Sequence, residues 1–198
     1  MLAETTRAAL PLAADGHPLT LAVNVSVRHL AAGTLVGDVA AALRDSGLPA
    51  GRLQIEVTES ALLAECGAAD AVAADVAALR LMGARVALDD LGRGWAALAQ
   101  LARVPVDVIK LDPAFLARVD RDPVVRALCE SVARLGTGLG IEVVAEGVES
   151  ASQLAAVQAA GCTAAQGFLL SRPLALPALR TLLAESAGTL WPGVIGRV

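Results

Sequence analysis

Short apolar runs alternate with longer amphipathic stretches along almost the whole chain, and this alternation restricts the fold more than any other feature. The runs predict strands at 19–25, 53–58, 85–88, 106–111, 141–145 and 163–166. The amphipathic stretches predict helices at 36–46, 68–82, 123–135, 150–160 and 176–185. Nearly continuous apolar strands that alternate with helices are typical of parallel sheets buried on both faces. The sequence therefore predicts an α/β fold built from βα units.

Parallel units of this kind either close into a (β/α)8 barrel or lie open as a doubly wound sheet. No GxGxxG or GxxxxGK[ST] motif follows the first strand, which disfavours an open nucleotide-binding sheet. Because the chain has 198 residues and no low-complexity linker, we expect a single domain over 1–198, with a C-terminal tail at 186–198.

The composition excludes several classes of partner and location. Sixteen basic residues against 20 acidic ones provide no basic stripe, and only 2% of residues are aromatic, so polymeric nucleic acid is not an expected partner. The longest uncharged stretch, 150–171, contains glutamines and glycines that a membrane-spanning helix would avoid. The first residues do not resemble a secretory signal, and the three cysteines share no metal-binding spacing. We therefore expect a cytoplasmic protein with buried, reduced thiols.

Polar side chains stand at or near the carboxyl end of every predicted strand. They are Asn24, Glu56, Asp89, Asp90, Lys110, Glu146 and Gln166. In a parallel barrel all these ends face the same rim, which is where such folds place their chemistry. Taken singly, each residue has a structural explanation, such as capping the next helix or facing solvent.

Together these residues indicate a hard-cation site. Amide and carboxylate oxygens from Asn24, Glu56, Asp89 and Asp90 suit Mg²⁺ or Mn²⁺, and the adjacent aspartates can bridge two ions. Lys110 is the only lysine among 16 basic residues, which suggests a role that arginine does not fill. With Glu146 as general base or further ligand, the set predicts phosphodiester hydrolysis.

Six ordered segments resemble the motifs of EAL-domain cyclic di-GMP phosphodiesterases. They are NVS at 24–26, IEVTES at 55–60, ALDDLGRG at 87–94, IKLD at 109–112, VVAEGVE at 143–149 and AQGFLLSRP at 165–173. The resemblance implies a modified TIM barrel that cleaves cyclic di-GMP to linear pGpG with Mg²⁺ or Mn²⁺, here incomplete and with about six βα units present.

The resemblance also implies roles for single residues. Asn24, Glu56 and Asp89 match metal ligands, and Asp90 matches the second aspartate of a site for two ions. Lys110 matches the lysine at the nucleophilic water, and Glu146 matches the catalytic glutamate. Gln166 matches a site glutamine, and Glu59 matches a glutamate that supports a loop. For Glu149 and Arg172 we expect structural roles first.

The chain departs from the family pattern in two places. The Glu-Ala-Leu motif, which supplies one metal ligand and leads to a substrate-binding arginine, does not occur in the 198 residues. The first ten residues correspond to the helix before the Asn24 strand, so two strands of the barrel are missing and two strand edges would be unpaired. In the loop after the paired aspartates, Arg93 replaces a small hydroxyl residue beside the expected metal site.

Three interpretations follow. The first is a phosphodiesterase that binds cyclic di-GMP and divalent ions. The second is a catalytically inactive EAL-like domain that acts as a cyclic di-GMP receptor or a protein-interaction scaffold. The third is a fragment without function. A homodimer and sensory or GGDEF domains in a longer protein are compatible with the first two.

Overall fold

The computed structural model describes residues 2–14, 19–59, 68–92, 101 and 103–185. Its residues fall into two compact units, Met1–Asp107 and Val108–Val198. Strands and helices alternate in both, so the α/β prediction is confirmed. In the part of the chain that the structure describes, no helix combines the length and the apolar character needed to span a bilayer.

The first unit is built on three parallel strands. They are β1 (Leu21–Asn24), β2 (Leu53–Thr58) and β3 (Arg85–Leu91). β1 pairs with β2, and β2 pairs with β3. Ile55 and Val57 in β2 are fully buried, as are Val86 and Leu88 in β3, and burying each such side chain stabilises the fold by about 1.5–3 kcal/mol. The strands form because these β-branched and aliphatic residues are packed on both faces of the sheet.

Helices pack around these three strands. They are α1 (Leu2–Ala14), α2 (Val27–Ala31), α3 (Leu35–Ser46) and α4 (Ala68–Leu81), and a 3-10 turn at Ala50–Arg52 leads into β2. α1 packs on α3, whose buried side chains recur at helical spacing from Leu35 to Leu43. The helix expected in the opening residues is present as α1. The short α2, which the sequence pattern did not predict, begins where the Ser26 hydroxyl accepts a hydrogen bond from the His29 amide.

The second unit also has three parallel strands. They are β4 (Val108–Leu111), β5 (Glu142–Ala145) and β6 (Ala164–Ala165), with β4 paired to β5 and β5 paired to β6. Its helices are α5 (Pro113–Leu116), α6 (Pro123–Leu139), α7 (Ala151–Ala160) and α8 (Leu176–Glu185). α6 packs on β5 and α7 through a buried stripe that includes Val125, Cys129 and Val132.

Capping residues explain where helices of the second unit begin and end. Asp112 caps α5 by accepting a 2.7 Å hydrogen bond from the Ala114 amide, and Pro113 takes the first helical position. Both features are visible in the sequence LDPAF at 111–115. The predicted end of α6 at residue 135 was too early, because the helix continues through Gly136 and Gly138 and stops at Gly140 in the left-handed conformation.

Candidate functional site

The carboxyl ends of β1, β2 and β3 bring three oxygen-bearing side chains to one face of the first unit. Asn24 lies opposite Glu56 in the register between β1 and β2, and Thr58 lies opposite Asp89 between β2 and β3. Because alternate residues of a strand share a face, Glu56 and Thr58 point to the same side, and their register partners do too. We call Asn24, Glu56 and Asp89 the oxygen face.

The carboxylates of the oxygen face are buried. Glu56 is 4% exposed and Asp89 is 8% exposed, whereas Asn24 at the end of β1 is exposed. Gln54, two residues before Glu56 on the same face, donates a 3.1 Å hydrogen bond from Nε2 to Oε1 of Glu56. Its own Oε1 is buried without a hydrogen-bond partner. Buried carboxylates are costly to keep charged, so this face favours a cationic ligand.

Asp90 follows directly and has unusual backbone geometry. Its φ is +59°, which places a non-glycine residue in the left-handed region near the end of a strand. The Asp90 amide donates a 3.0 Å hydrogen bond to Oδ1 of Asp89. The two neighbouring aspartates therefore do not simply alternate across the sheet as they would in regular β-structure.

The second unit carries a buried ion pair at its strand ends. Lys110 Nζ lies 2.8 Å from Oε1 of Glu146, and the two side chains are 8% and 12% exposed. Lys110 lies opposite Val144 in the register, and Glu146 comes two residues later, immediately after β5. The amide of Glu146 donates to the Leu111 carbonyl at 3.2 Å. The backbone thus continues the β-type pairing just far enough to place the carboxylate beside the lysine.

Gln166 directly follows β6 and is held by its backbone. Its amide donates to the Ala145 carbonyl at 2.8 Å, and its carbonyl accepts from the Val148 amide at 3.0 Å. Gly167 allows this approach, since a Cβ at that position would overlap the Val148 backbone. The loops that carry Glu146 and Gln166 are therefore joined through backbone hydrogen bonds.

Other candidate residues have structural partners or fall outside the described part of the chain. Glu59 is buried at the end of β2. The Arg172 guanidinium lies over the Phe168 ring, 4.6 Å from its centroid. Arg93 and the tail at 186–198 lie outside the described residues.

Two cavities of the first unit differ in where they lie relative to the oxygen face. The larger, of about 540 Å³, lies at the amino end of β3 around Gly83 and the ion pair between Arg80 and Asp107, far from the strand ends that carry the oxygen face. The smaller, of about 380 Å³, is lined by Asn24, His29 and Asp38 among others. Hydrogen bonds from His29 and then Thr34 lower the pKa of the Asp38 carboxyl. Of these two cavities, only the smaller is lined by a residue of the oxygen face.

Sequence reasoning missed Gln54. It is the second residue of LQIEVT at 53–58, a run in which Leu53, Ile55 and Val57 are apolar. A polar side chain two positions before a strand-end carboxylate shares its face, so the period of the strand could have identified it.

The comparisons with known proteins decide the family. The model of the EAL domain matches residues 1–173. This chain belongs to the EAL domain family. Among curated relatives, it is 36% identical over 163 residues to the cyclic di-GMP phosphodiesterase RocR of Pseudomonas aeruginosa, which covers 82% of this chain and 41% of RocR. The chain thus spans less than half the length of that relative.

Solved structures agree with this assignment. The EAL domain of Mycobacterium smegmatis DcpA superposes with a TM-score of 0.85 at 32% identity, covering 93% of this chain and 82% of that domain. Klebsiella pneumoniae BlrP1, in a manganese and cyclic di-GMP complex, gives a TM-score of 0.73 at 35% identity over 86% of this chain and 43% of BlrP1. The fold of this EAL protein is therefore an incomplete TIM-like barrel, with six strands in the described residues.

The side chains of the oxygen face have the donor chemistry of a site for a divalent ion. An amide and two carboxylates are the oxygen ligands that Mg²⁺ and Mn²⁺ prefer. Among the described residues, no group of three His, Cys, Asp or Glu side chains lies close enough to hold an ion by itself. The oxygen face offers two carboxylates and the Asn24 amide, so it fits a hard cation by the type of its ligands.

Proposed function

We propose that this EAL domain is a metal-dependent phosphodiesterase that hydrolyses cyclic di-GMP to linear pGpG with Mg²⁺ or Mn²⁺, using two ions. The observation that carries the proposal is the oxygen face, which sets Asn24, Glu56 and Asp89 on one side of adjacent parallel strand ends. In the same proposal, Asn24, Glu56, Asp89 and Asp90 are the metal ligands. The manganese and cyclic di-GMP complex of BlrP1, which is similar to this chain in structure, supports the choice of ligand.

The reaction needs water activation and charge stabilisation. Divalent ions, when bound, polarise phosphoryl oxygens and lower the pKa of water. Glu146 takes the proton of the attacking water as general base, and the water oxygen forms a bond to phosphorus. The phosphodiester bond to the 3′ oxygen breaks, and that oxygen takes up a proton as pGpG forms.

Lys110 supports this chemistry through its charge. Its ammonium lies 2.8 Å from the Glu146 carboxylate, so it orients the base and keeps a positive charge beside it. Gln166, held by backbone hydrogen bonds to Ala145 and Val148, contacts the substrate in this proposal, and Glu59 and Arg93 support the loops around the site. A cytoplasmic location, a homodimer and attached sensory or GGDEF domains remain further proposals for this protein.

The test is product formation by the purified chain. Cyclic di-GMP is incubated with Mn²⁺, and pGpG is quantified by liquid chromatography. Glu146→Gln should lower the rate by about 10²–10⁴-fold, because it removes the general base. The matched control Glu130→Gln changes a half-buried carboxylate on α6 and should leave the rate unchanged.

Three results distinguish the interpretations. If the chain forms product and the Glu146→Gln variant does not, the phosphodiesterase proposal is supported. If calorimetry shows binding of cyclic di-GMP but no product forms, a receptor or scaffold is favoured. If there is no product and no binding, both proposals are contradicted.

A further inference from the structure

Two cysteines of the second unit lie side by side, although they are far apart in the sequence. Cys129 is on α6, and Cys162 lies just after α7, where Gly161 ends that helix in the left-handed conformation. Their sulfur atoms are 3.6 Å apart. Both thiols are free. They meet because α6 packs on α7, with Ala133 of α6 close to Gly161.

The two thiols differ in environment. Cys129 is fully buried, and Cys162 is half-buried. The two sulfur atoms share a hydrogen bond in which either thiol can be the donor. Exposure makes Cys162 the member of the pair that a reagent from solvent reaches, and Cys129 its buried partner.

We propose that Cys129 and Cys162 form a thiol pair that is oxidised by hydroperoxides to an intramolecular disulfide. The sulfur atoms need to approach from 3.6 Å to a bonded length of about 2.05 Å, a movement of about 1.5 Å. This oxidation site shares no residue with the oxygen face or with the pair formed by Lys110 and Glu146, and it goes beyond the proposed phosphodiesterase function.

The oxidation proceeds in two balanced steps. The peroxide oxygen–oxygen bond breaks as one oxygen is transferred to the Cys162 sulfur, which becomes a sulfenic acid, while the other oxygen leaves as water. The Cys129 sulfur then attacks the Cys162 sulfur, the sulfur–oxygen bond breaks, and hydroxide leaves and is protonated to a second water. Overall, two thiols lose two electrons and two protons, and one equivalent of hydrogen peroxide is reduced.

The disulfide would tie α6 to the segment that enters β6. Thr163, the next residue, donates its amide to the Val143 carbonyl of β5 at 2.9 Å, and Gln166 follows three residues later. A crosslink across 33 positions restricts the unfolded chain more than the folded one, in which the sulfurs are already adjacent. Oxidation should therefore stabilise the second unit against unfolding.

The experiment uses the full chain with Cys66→Ser as parent, so that only the pair reacts. The parent is exposed to hydrogen peroxide under non-denaturing conditions, and thiols are counted with a chromogenic disulfide reagent after unfolding. We expect the loss of both thiols, a mass decrease of about 2 Da, and a tryptic peptide pair that joins Cys129 to Cys162 and separates on reduction. The thermal midpoint should rise by roughly 5–15 °C and return with a phosphine reductant.

The control adds Cys162→Ser to the parent, since Cys162 is half-buried and serine preserves its size. This variant should keep its Cys129 thiol and show no rise in thermal midpoint. The proposal is overturned if both parent thiols survive, if they gain about 32 Da each as sulfinic acids, or if the disulfide joins two chains. None of these readouts depends on cyclic di-GMP, so their failure is independent of the phosphodiesterase proposal.

Discussion

Asp90 is the residue at which the backbone of the candidate site departs most from regular structure. Its φ of +59° belongs to the left-handed region, which costs a non-glycine residue roughly 1–2 kcal/mol. The hydrogen bond from its amide to Asp89 helps to hold this geometry. Such strain persists where surrounding packing fixes it, and it concentrates at functional sites. The strained turn is consistent with a role for both aspartates in binding ions.

The register between neighbouring strands shows which residues of the candidate site could be predicted from the sequence. Glu56 and Asp89 were singled out because they stand near strand ends, and the structure places both on the oxygen face with Asn24. Gln54 was missed because it lies near the start of β2 and not at the carboxyl end of the strand. Its hydrogen bond to Glu56 needs the actual side-chain rotamers, although its face could have been read from the two-residue period.

The ion pair between Lys110 and Glu146 gives a prediction about stability. Lys110→Met removes the cation that lies 2.8 Å from a largely buried carboxylate, so we expect the free energy of unfolding to fall by about 3 kcal/mol. Glu146→Gln in the same chain should restore part of this loss, because the carboxylate charge is then gone. Urea unfolding of the wild type, both single variants and the double variant measures the coupling.

Additive effects in that cycle would contradict a direct interaction between the two side chains. Arg134→Met is the matched control, since it removes an exposed cation from α6 and should change the unfolding free energy by no more than about 0.5 kcal/mol.

Among the helices, α6 shows why starts were predicted better than ends. Asp122 accepts hydrogen bonds from the Val124 and Val125 amides, and Pro123 occupies the first helical position, so its start follows from side-chain chemistry visible in the sequence. Its end depends on tertiary packing. Gly136 lies against Val143 and the Ile141 carbonyl, and this close contact explains a glycine inside the helix, one residue beyond its predicted end.

The two interior glycines of α6 should respond oppositely to alanine. A Cβ at Gly136 would lie 2.5 Å from the Val143 Cγ2 and 2.9 Å from the Ile141 oxygen, so Gly136→Ala should destabilise the protein by about 1–3 kcal/mol. A Cβ at Gly138 meets nothing within 4 Å, so Gly138→Ala should stabilise it by about 0.5–1 kcal/mol through helix propensity. Urea unfolding followed by circular dichroism provides both values, and a stabilising Gly136→Ala would contradict the packing of α6 on β5.

For the molecule as a whole, the order of six short motifs was enough to predict the family, and the alternation of strands and helices was enough to predict the α/β fold. The domain match over residues 1–173 agrees with the family prediction. The sequence did not predict the thiol pair, because 33 positions separate Cys129 from Cys162 and only the packing of α6 on α7 brings them together. Contacts between distant segments depend on helix packing, which the residue pattern specifies only coarsely. Strand–helix alternation and motif order therefore predict the fold and the family better than they predict individual side-chain contacts.

Metal binding should be visible in the thermal stability of the whole chain, independently of turnover. A ligand that binds only the folded state at 100 times its Kd adds about 2.7 kcal/mol, which corresponds to a rise of roughly 5–10 °C in Tm for a chain of this size. We expect Mn²⁺ to produce such a rise over a chelator-treated baseline in differential scanning fluorimetry. Glu56→Gln combined with Asp89→Asn should remove most of it, because both carboxylates of the oxygen face lose their charge. Asp75→Asn on α4 is the control and should keep the full shift. An equal shift in the double variant would place the ion elsewhere and contradict the assignment of the oxygen face as the metal site.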